Sequence, residues 1–273
     1  MAFCNPDGGT TRVPIREDRV WSVMYQKLKH FRDAYELDLN GRTIIDVGAA
    51  RGEFLATTVS VWPKARFCLC EADARWEPNL RDTVEKVSRV TQTQHEIFMR
   101  PISHTDGETR AFWSLSTRPE GLSGFYPEAQ EYLESNPEYR PVNVCTTTLD
   151  SLFGHLKDVS FVKVDVQGGE MDVMRGARAL LERCRPFVLL ELPIVPYNTG
   201  VPDMRASLNI MAELNYKLLD IWDVHEFRLE NGSEIGVQAD VLFAPHDFQD
   251  KFSSRKEKLR SRKGPEEFGD ILL

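Results

Sequence analysis

The 273-residue chain is 41% hydrophobic and 10% aromatic, enough for one substantial α/β core and too little for two ordinary ones. Its formal net charge of −8 argues against a duplex nucleic-acid surface, which must neutralise several phosphates with clustered Lys and Arg. The first residues hold no apolar core of signal-peptide length and nowhere do eighteen apolar residues run together, so no membrane partner is expected. The cysteines Cys4, Cys68, Cys70, Cys145 and Cys184 are odd in number and scattered, a pattern of reduced thiols that points to a cytoplasmic protein without a disulfide framework or zinc site.

In chain order, residues 1–42 form an extension whose amphipathic stretch, Val20 to Tyr35, predicts a helix packed across a sheet or over a ligand. From residue 43, short runs rich in β-branched residues alternate with amphipathic stretches. Strands are predicted at 43–47, 66–71, 95–99, 160–165, 187–192, 217–222 and 237–243, and helices at 53–61, 76–88, 169–182 and 204–215. This alternation predicts an α/β fold with a largely parallel, doubly wound sheet over 43–248. The last two strands are joined by the short link NGSEIG, which predicts an antiparallel hairpin at one edge.

Residues 105–147 interrupt the alternation with a strand-like ETRAFWSL, a segment rich in Gly, Pro and Tyr, and a return strand VNVCT. A long insertion of this kind in a compact domain is usually functional or disordered, and its aromatic content favours a lid that covers the substrate. Trp113, Phe125, Tyr126, Tyr132 and Tyr139 could wall in a sugar ring, form a small core of the insertion itself, or make a subunit contact in a homo-oligomer. The tail, 249–273, holds seven basic residues between Lys251 and Lys263 against Glu257 alone and reads as a solvated end.

The segment TIIDVGAARGEF, 43–54, places an acid and two glycines where the first strand turns into a helix. In open α/β sheets ligands sit beyond the carboxyl ends of the strands, and this turn is the usual site. Gly48 and Gly52 allow close backbone approach, and a helix start aims free N–H groups at the ligand. A dinucleotide fingerprint would read G-x-G-x-x-G, whereas here Asp46 precedes Gly48. An acid there repels a pyrophosphate and suits an ammonium or sulfonium group. The second strand ends in Glu71, where a carboxylate can accept both hydroxyls of a ribose. Together these describe S-adenosylmethionine. Its contacts are expected from Asp46, Gly48, Ala49, Ala50 and Gly52 in the first turn, Glu71 and Ala72 after the second strand, Ile102 and Ser103 after the third, and Asp165.

A second constellation, FVKVDVQGGEMDVMRGA at 161–177, ends a strand in Asp165, turns through Gln167, Gly168 and Gly169, and opens a helix with Glu170. The next strand also ends in an acid, Glu191. Asp165 and Glu170 are the first candidates for positioning or deprotonating an acceptor, followed by Glu191 and by His104, whose ordinary titration range suits a general base. Structural roles compete: a helix N-cap for Asp165, a first-turn acid on the helix dipole for Glu170, a turn residue for His104. The acids Asp165, Glu170 and Glu191 could alternatively hold a divalent cation, although no metal is expected.

On these residues the chain resembles the FkbM-type methyltransferases. The resemblance rests on DVGAxxG at 46–52, Glu71, TTLDSL at 147–152, KVDVQGGE at 163–170, MRGA at 174–177 and VLLEL at 188–192, and spans roughly 40–245. It implies a Rossmann-like class I methyltransferase fold and S-adenosylmethionine-dependent transfer of a methyl group to a hydroxyl of a small molecule, a sugar or glycan, or a natural product. Family members commonly carry Asn where this chain has Ala50 and Glu where it has Gln167. Two rivals share parts of the pattern. An NAD-dependent sugar oxidoreductase would need a Tyr-x-x-x-Lys pair late in the sheet, but Tyr25 and Lys29 precede it. A methyltransferase acting on nucleic-acid or protein amines would carry a Pro-Pro-Tyr-like turn where this chain reads Asp-Val-Gln-Gly.

Overall fold

The computed structural model describes residues 2–4, 10–12, 19–115, 123–127, 133–134, 136–195, 201–228 and 234–248. A short antiparallel pair, β1 (Ala2–Cys4) with β2 (Thr10–Arg12), precedes α1 (Arg19–Tyr35). Then follow β3 (Thr43–Val47), α2 (Glu53–Thr58), β4 (Arg66–Glu71), α3 (Glu77–Thr91) and β5 (Glu96–Met99). After β6 (Thr109–Leu115) and β7 (Tyr139–Cys145) come α4 (Leu149–Phe153), β8 (Val159–Val164), α5 (Glu170–Arg175) and α6 (Arg178–Cys184). The chain continues through β9 (Phe187–Val195), α7 (Met204–Glu213), β10 (Tyr216–Arg228) and β11 (Glu234–Pro245). The tail beyond residue 248, Tyr132 and residues 229–233 lie outside the described residues.

A seven-stranded sheet runs in the order β10-β11-β9-β8-β3-β4-β5. The inner pairs are parallel, and β11 runs antiparallel to both β9 and β10. This is the Rossmann-like class I architecture with an antiparallel hairpin at one edge. The hairpin's second strand lies inside its first, so β10 is the edge strand. Strand order reverses between β3 and β8, and that crevice is where such sheets receive ligands.

The parallel strands are apolar along their length because both faces are covered. Ile45, Val47, Val162 and Val164 pack with α5, α6 and α7 on one side. Ile44, Leu69, Phe161 and Leu189 face the other side, with α1 and α2. Helix α1 lies across the sheet, with Phe31 edge-on to Phe187 at 4.9 Å and to Trp222 at 5.8 Å between ring centroids.

The sequence predicts one helix over 169–182, and the structure breaks it into α5 and α6 at Gly176. A Cβ on Gly176 would sit 2.2 Å from the Ser103 carbonyl oxygen, so the helix stops where the loop after β5 crosses it. The Asp150 carboxylate restarts it by accepting from the N–H groups of Ala179 and Leu180, an N-terminal capping arrangement. The TTLDSL element works in the same way: Thr148 caps α4 through Ser151 N–H, while Asp106 accepts from Thr147 Oγ1 and Thr148 N.

Strands β6 and β7 form a separate two-stranded antiparallel ribbon, and Trp113 of β6 also makes an antiparallel bridge to Gly124. Trp113 stacks on Tyr139 and Phe112 packs edge-on to Phe125. Part of the insertion's aromatic content is thus its own small core.

Candidate active site

At the carboxyl ends of β3, β4 and β8, where the strand order reverses, lies a cavity. Val47, Gly48 and Ala50 line it from the first turn; Cys70, Glu71, Ala72 and Trp76 from β4 and the turn after it; Arg100 and Ile102 from beyond β5. Asp165, Val166 and Gln167 line it from beyond β8, and Phe112 with Ser123, Gly124 and Phe125 close it from the insertion.

The first turn is fastened from both sides. The N–H groups of Gly48 and Ala49 donate to the Cys70 carbonyl at 2.9 and 3.1 Å. Gly48 has φ +82°, and a Cβ there would sit 1.8 Å from the Asp165 carbonyl oxygen, so only glycine lets β3 and β8 converge. Ala50, at φ +43°, aims its N–H at Glu71 Oε2, 2.8 Å away, and Glu71 Oε1 accepts from Asp73 N–H at 2.8 Å. Glu71 is buried at the cavity wall. Burial pushes its carboxyl up to about 7, against the pull of these two backbone donors.

The turn after β8 is built from side chains. Asp165 Oδ2 accepts from Lys163 Nζ at 3.0 Å, and Oδ1 from Gln167 Nε2 at 3.0 Å. The same Gln167 amide donates to Glu191 Oε2 at 2.9 Å. Gln167 adopts φ +57° and Gly168 φ +97°, a strained turn that faces Gln167 into the cavity. Burial opposes a charge on Asp165, yet the Lys163 ammonium beside it and its hydrogen bonds hold the carboxyl below the ordinary range. Glu191 goes the opposite way: burial and the charges of Asp165, Asp240 and Glu170 push it well up. The two neighbouring carboxyls are thus pushed in opposite directions, Asp165 down and Glu191 up.

Glu170 is buried and its Oε1 accepts from Val166 N–H at 2.9 Å and Gly168 N–H at 3.2 Å. Its carboxylate therefore ties the turn together outside the cavity lining. Asp46 is fully buried behind the first turn, 3.7 Å from Lys163 Nζ. Ala49, Gly52 and Ser103 likewise lie behind the wall: Gly52 caps α2 and packs on Leu80 and Thr83, and Ser103 Oγ accepts from Arg110. His104 is exposed beyond the rim, 3.6 Å from Asp172. Of the residues expected at the site, the structure gathers Gly48, Ala50, Glu71, Ala72, Ile102 and Asp165 around one cavity, with Glu191 joined through Gln167. Among the described residues no group of three or more His, Cys, Asp or Glu side chains is arranged to hold a metal ion. At Asp165 the place of a cation is taken by Lys163.

Several residues escaped the sequence reading. Trp76 sits on a 3-10 turn, Ala74–Trp76, that Asp73 caps by accepting from Arg75 N–H. Lys163 lies in an apolar strand, where a lone charge was the available signal. Buried Asp172 accepts from Arg110 Nη1 at 2.8 Å and from Tyr126 Oη at 3.0 Å, and the Arg110 guanidinium lies 4.4 Å over the Phe125 ring. Trp113 and Gly124 exchange two backbone hydrogen bonds. These contacts clamp the strap 123–127 across the cavity mouth, and no spacing in the sequence announces them.

Residues 46–218 match the family described as Methyltransferase FkbM domain. The chain is 25% identical over 211 residues to the 2-O-methyltransferase NoeI of Sinorhizobium fredii, covering 73% of this chain and 77% of that protein. Among solved structures it is similar to a methyltransferase FkbM from Methylobacillus flagellatus, with 13% identity, TM-score 0.47, and coverage of 79% of this chain and 47% of that one. It is also similar to a precorrin-6y C5,15-methyltransferase from Geobacter metallireducens, with 11% identity, TM-score 0.45, and coverage of 88% and 94%. With the family match spanning most of the catalytic sheet and the cavity at its switch point, the chain belongs to the FkbM methyltransferases.

Proposed function

We propose that this methyltransferase takes S-adenosylmethionine as its donor and methylates a hydroxyl group of a small molecule, a sugar or glycan, or a natural product. The observation that carries the reading is the cavity itself, flanked on opposite sides of β3 by the carboxylates Glu71 and Asp165 and walled by Val47, Cys70, Ile102 and Trp76. Such a cavity fits a ligand with a flat base, a ribose diol and a cationic end. Glu71 would accept from the ribose hydroxyls, with Ala72, Trp76 and Ile102 around the base. Asp165, with Gly48 and Ala50, would face the cationic end. That NoeI is described as a 2-O-methyltransferase supports a hydroxyl acceptor.

The donor supplies an electrophilic methyl carbon on a sulfonium, so the protein's task is to hold an acceptor oxygen in line and take up its proton. Asp165, held in its charged form, accepts a hydrogen bond well and a proton poorly, which suits it to orient the acceptor hydroxyl. Once the oxygen–carbon bond forms and the carbon–sulfur bond breaks, the hydroxyl becomes strongly acidic, so its proton would pass even to the weakly basic Asp165 carboxylate, which Gln167 holds beside Glu191. Phe112, Phe125 and the strap exclude water from the developing bond.

Calorimetric titration with S-adenosylmethionine and, separately, with NAD(H) tests the reading. Glu71→Ala and Trp76→Ala are each expected to weaken donor binding by about tenfold or more, on the scale of one lost hydrogen-bonded or stacked contact. Absence of donor binding by the unaltered protein would sink the proposal, and tight NAD(H) binding would replace it with redox chemistry. With binding in hand, hydroxylated and amine acceptors are compared directly.

A further inference from the structure

Across the centre of the sheet, one row of register partners reads Leu69 on β4, Asp46 on β3, Lys163 on β8 and Leu189 on β9. All four are buried. The Lys163 ammonium lies 5.8 Å from the Phe54 ring centroid, within the apolar core beneath α1 and α2. Both Asp46 oxygens are buried without a hydrogen-bond partner, and Lys163 Nζ is 3.7 Å from the nearer one. For stability alone this is a poor arrangement. A buried ion pair is commonly no better than two apolar side chains of similar volume, and here the flanking positions are already leucines. What the pair does is reach the cavity: the same Nζ donates to Asp165 Oδ2 at 3.0 Å, and Asp165 lines the cavity wall.

We propose that Lys163 is a positioning residue that holds the Asp165 carboxylate charged and in one orientation at the cavity wall, and that Asp46 is the counter-charge of Lys163 and not a ligand contact. The inference rests on the donor reading above, because it needs Asp165 to face the donor's positive charge. It reassigns the acid of the first motif. Asp46 acts from behind the turn, through Lys163, on the acid of the second motif, which explains why DVGAxxG and KVDVQGG occur together.

The groups that face Asp165 are Lys163 from its own strand, Asp46 from β3, Glu191 from β9 and Glu170 from α5; behind them, Asp240 of β11 faces Glu191 and Glu53 of α2 faces Asp46. Lys163 is the cation that Asp165 touches, and every other member of this set is an acid. Removing the ammonium therefore leaves burial and like charges to raise Asp165, which then takes up a proton as pH falls.

The test compares proteins that differ only at position 163, in an Asp46→Asn background so that no orphaned carboxylate is left buried. S-adenosylmethionine affinity is measured by calorimetry at about pH 6 and about pH 8.5, with folding followed by circular dichroism. Relative to Asp46→Asn, the Asp46→Asn/Lys163→Met protein is expected to bind about tenfold more weakly at the lower pH and far closer to equally at the higher, the effect of a shift of about one pH unit or more. Asp46→Asn/Lys163→Arg restores the background profile, and adding Asp165→Asn to the methionine variant removes the extra pH dependence. Glu71 titrates alike in all of them and cancels. An identical pH profile with and without Lys163 overturns the inference while leaving the donor reading intact; no binding by the unaltered protein overturns the donor reading first. If the methionine variant does not fold, Asp46→Leu/Lys163→Met, which continues the leucine row, carries the same comparison.

Discussion

Gly48 and the main-chain carbonyl of Asp165 meet at the switch point of the sheet, where a Cβ on Gly48 would lie 1.8 Å from the carbonyl oxygen. The contact locks the first turn to the turn after β8, and the two halves of the cavity are placed relative to each other by it. Gly48→Ala is therefore expected to be severe, costing about 3 kcal/mol or more through backbone displacement and a left-handed φ. Gly107→Ala, at φ +71° but with nothing within 4 Å of the added Cβ, bears only the conformational penalty of about 1 kcal/mol. Chemical denaturation of the two variants measures the difference, and similar losses would show that the close approach is not what fixes the turn.

Glu170 gives a prediction about pH. Burial raises its carboxyl from an ordinary 4.5 to about 7, even though it accepts from the backbone of its own turn. A raised acid binds its proton more tightly in the folded state, so its contribution to stability is greatest below about 4.5 and is lost as pH rises towards 7. Glu170→Gln keeps an amide oxygen for Val166 and Gly168 and has no proton to lose. Its deficit relative to the unaltered protein should shrink by about 3 kcal/mol, at most, between about pH 4.5 and about pH 8. Denaturant unfolding across that range checks the slope, and a deficit independent of pH would show that folding leaves the Glu170 carboxyl at its ordinary value.

The strap depends on Asp172, which holds Arg110 and Tyr126 at once. Tyr126→Phe removes one hydrogen bond to a buried carboxylate and keeps the ring. The expected change is local, about 1–2 kcal/mol of easier opening, seen as faster hydrogen exchange at the N–H groups of Trp113 and Gly124, which bond across the strap. Exchange within β3 and β8 should stay unchanged. Unchanged exchange at Gly124 would show that the Tyr126–Asp172 hydrogen bond does not hold the strap.

Much of the fold was legible because its signals are local. The apolar runs that became β3 and β4 were readable residue by residue, since strands buried on both faces need little but β-branched and aliphatic side chains. The glycines of DVGAARG marked a turn, and Glu71 marked a strand end. The same locality explains the error over 169–182: the apolar stripe continues through Gly176, and only the Ser103 carbonyl, contributed from seventy residues away in the chain, forbids the helix there.

The site divides in the same way. By itself the sequence determined the alternating α/β core, the two acid-and-glycine turns and their order, because backbone conformation and hydrophobic pattern depend on neighbours along the chain. Only the tertiary structure decided which acids face the cavity. Asp46 and Asp165 look alike as strand-end carboxylates, yet the pairing of β3 with β8 turns one into the core and the other onto the cavity wall, with Lys163 between them. It alone also brought Trp76, Arg110, Asp172 and the strap to the same place, since burial, charge compensation and close approach are properties of residues that meet in space.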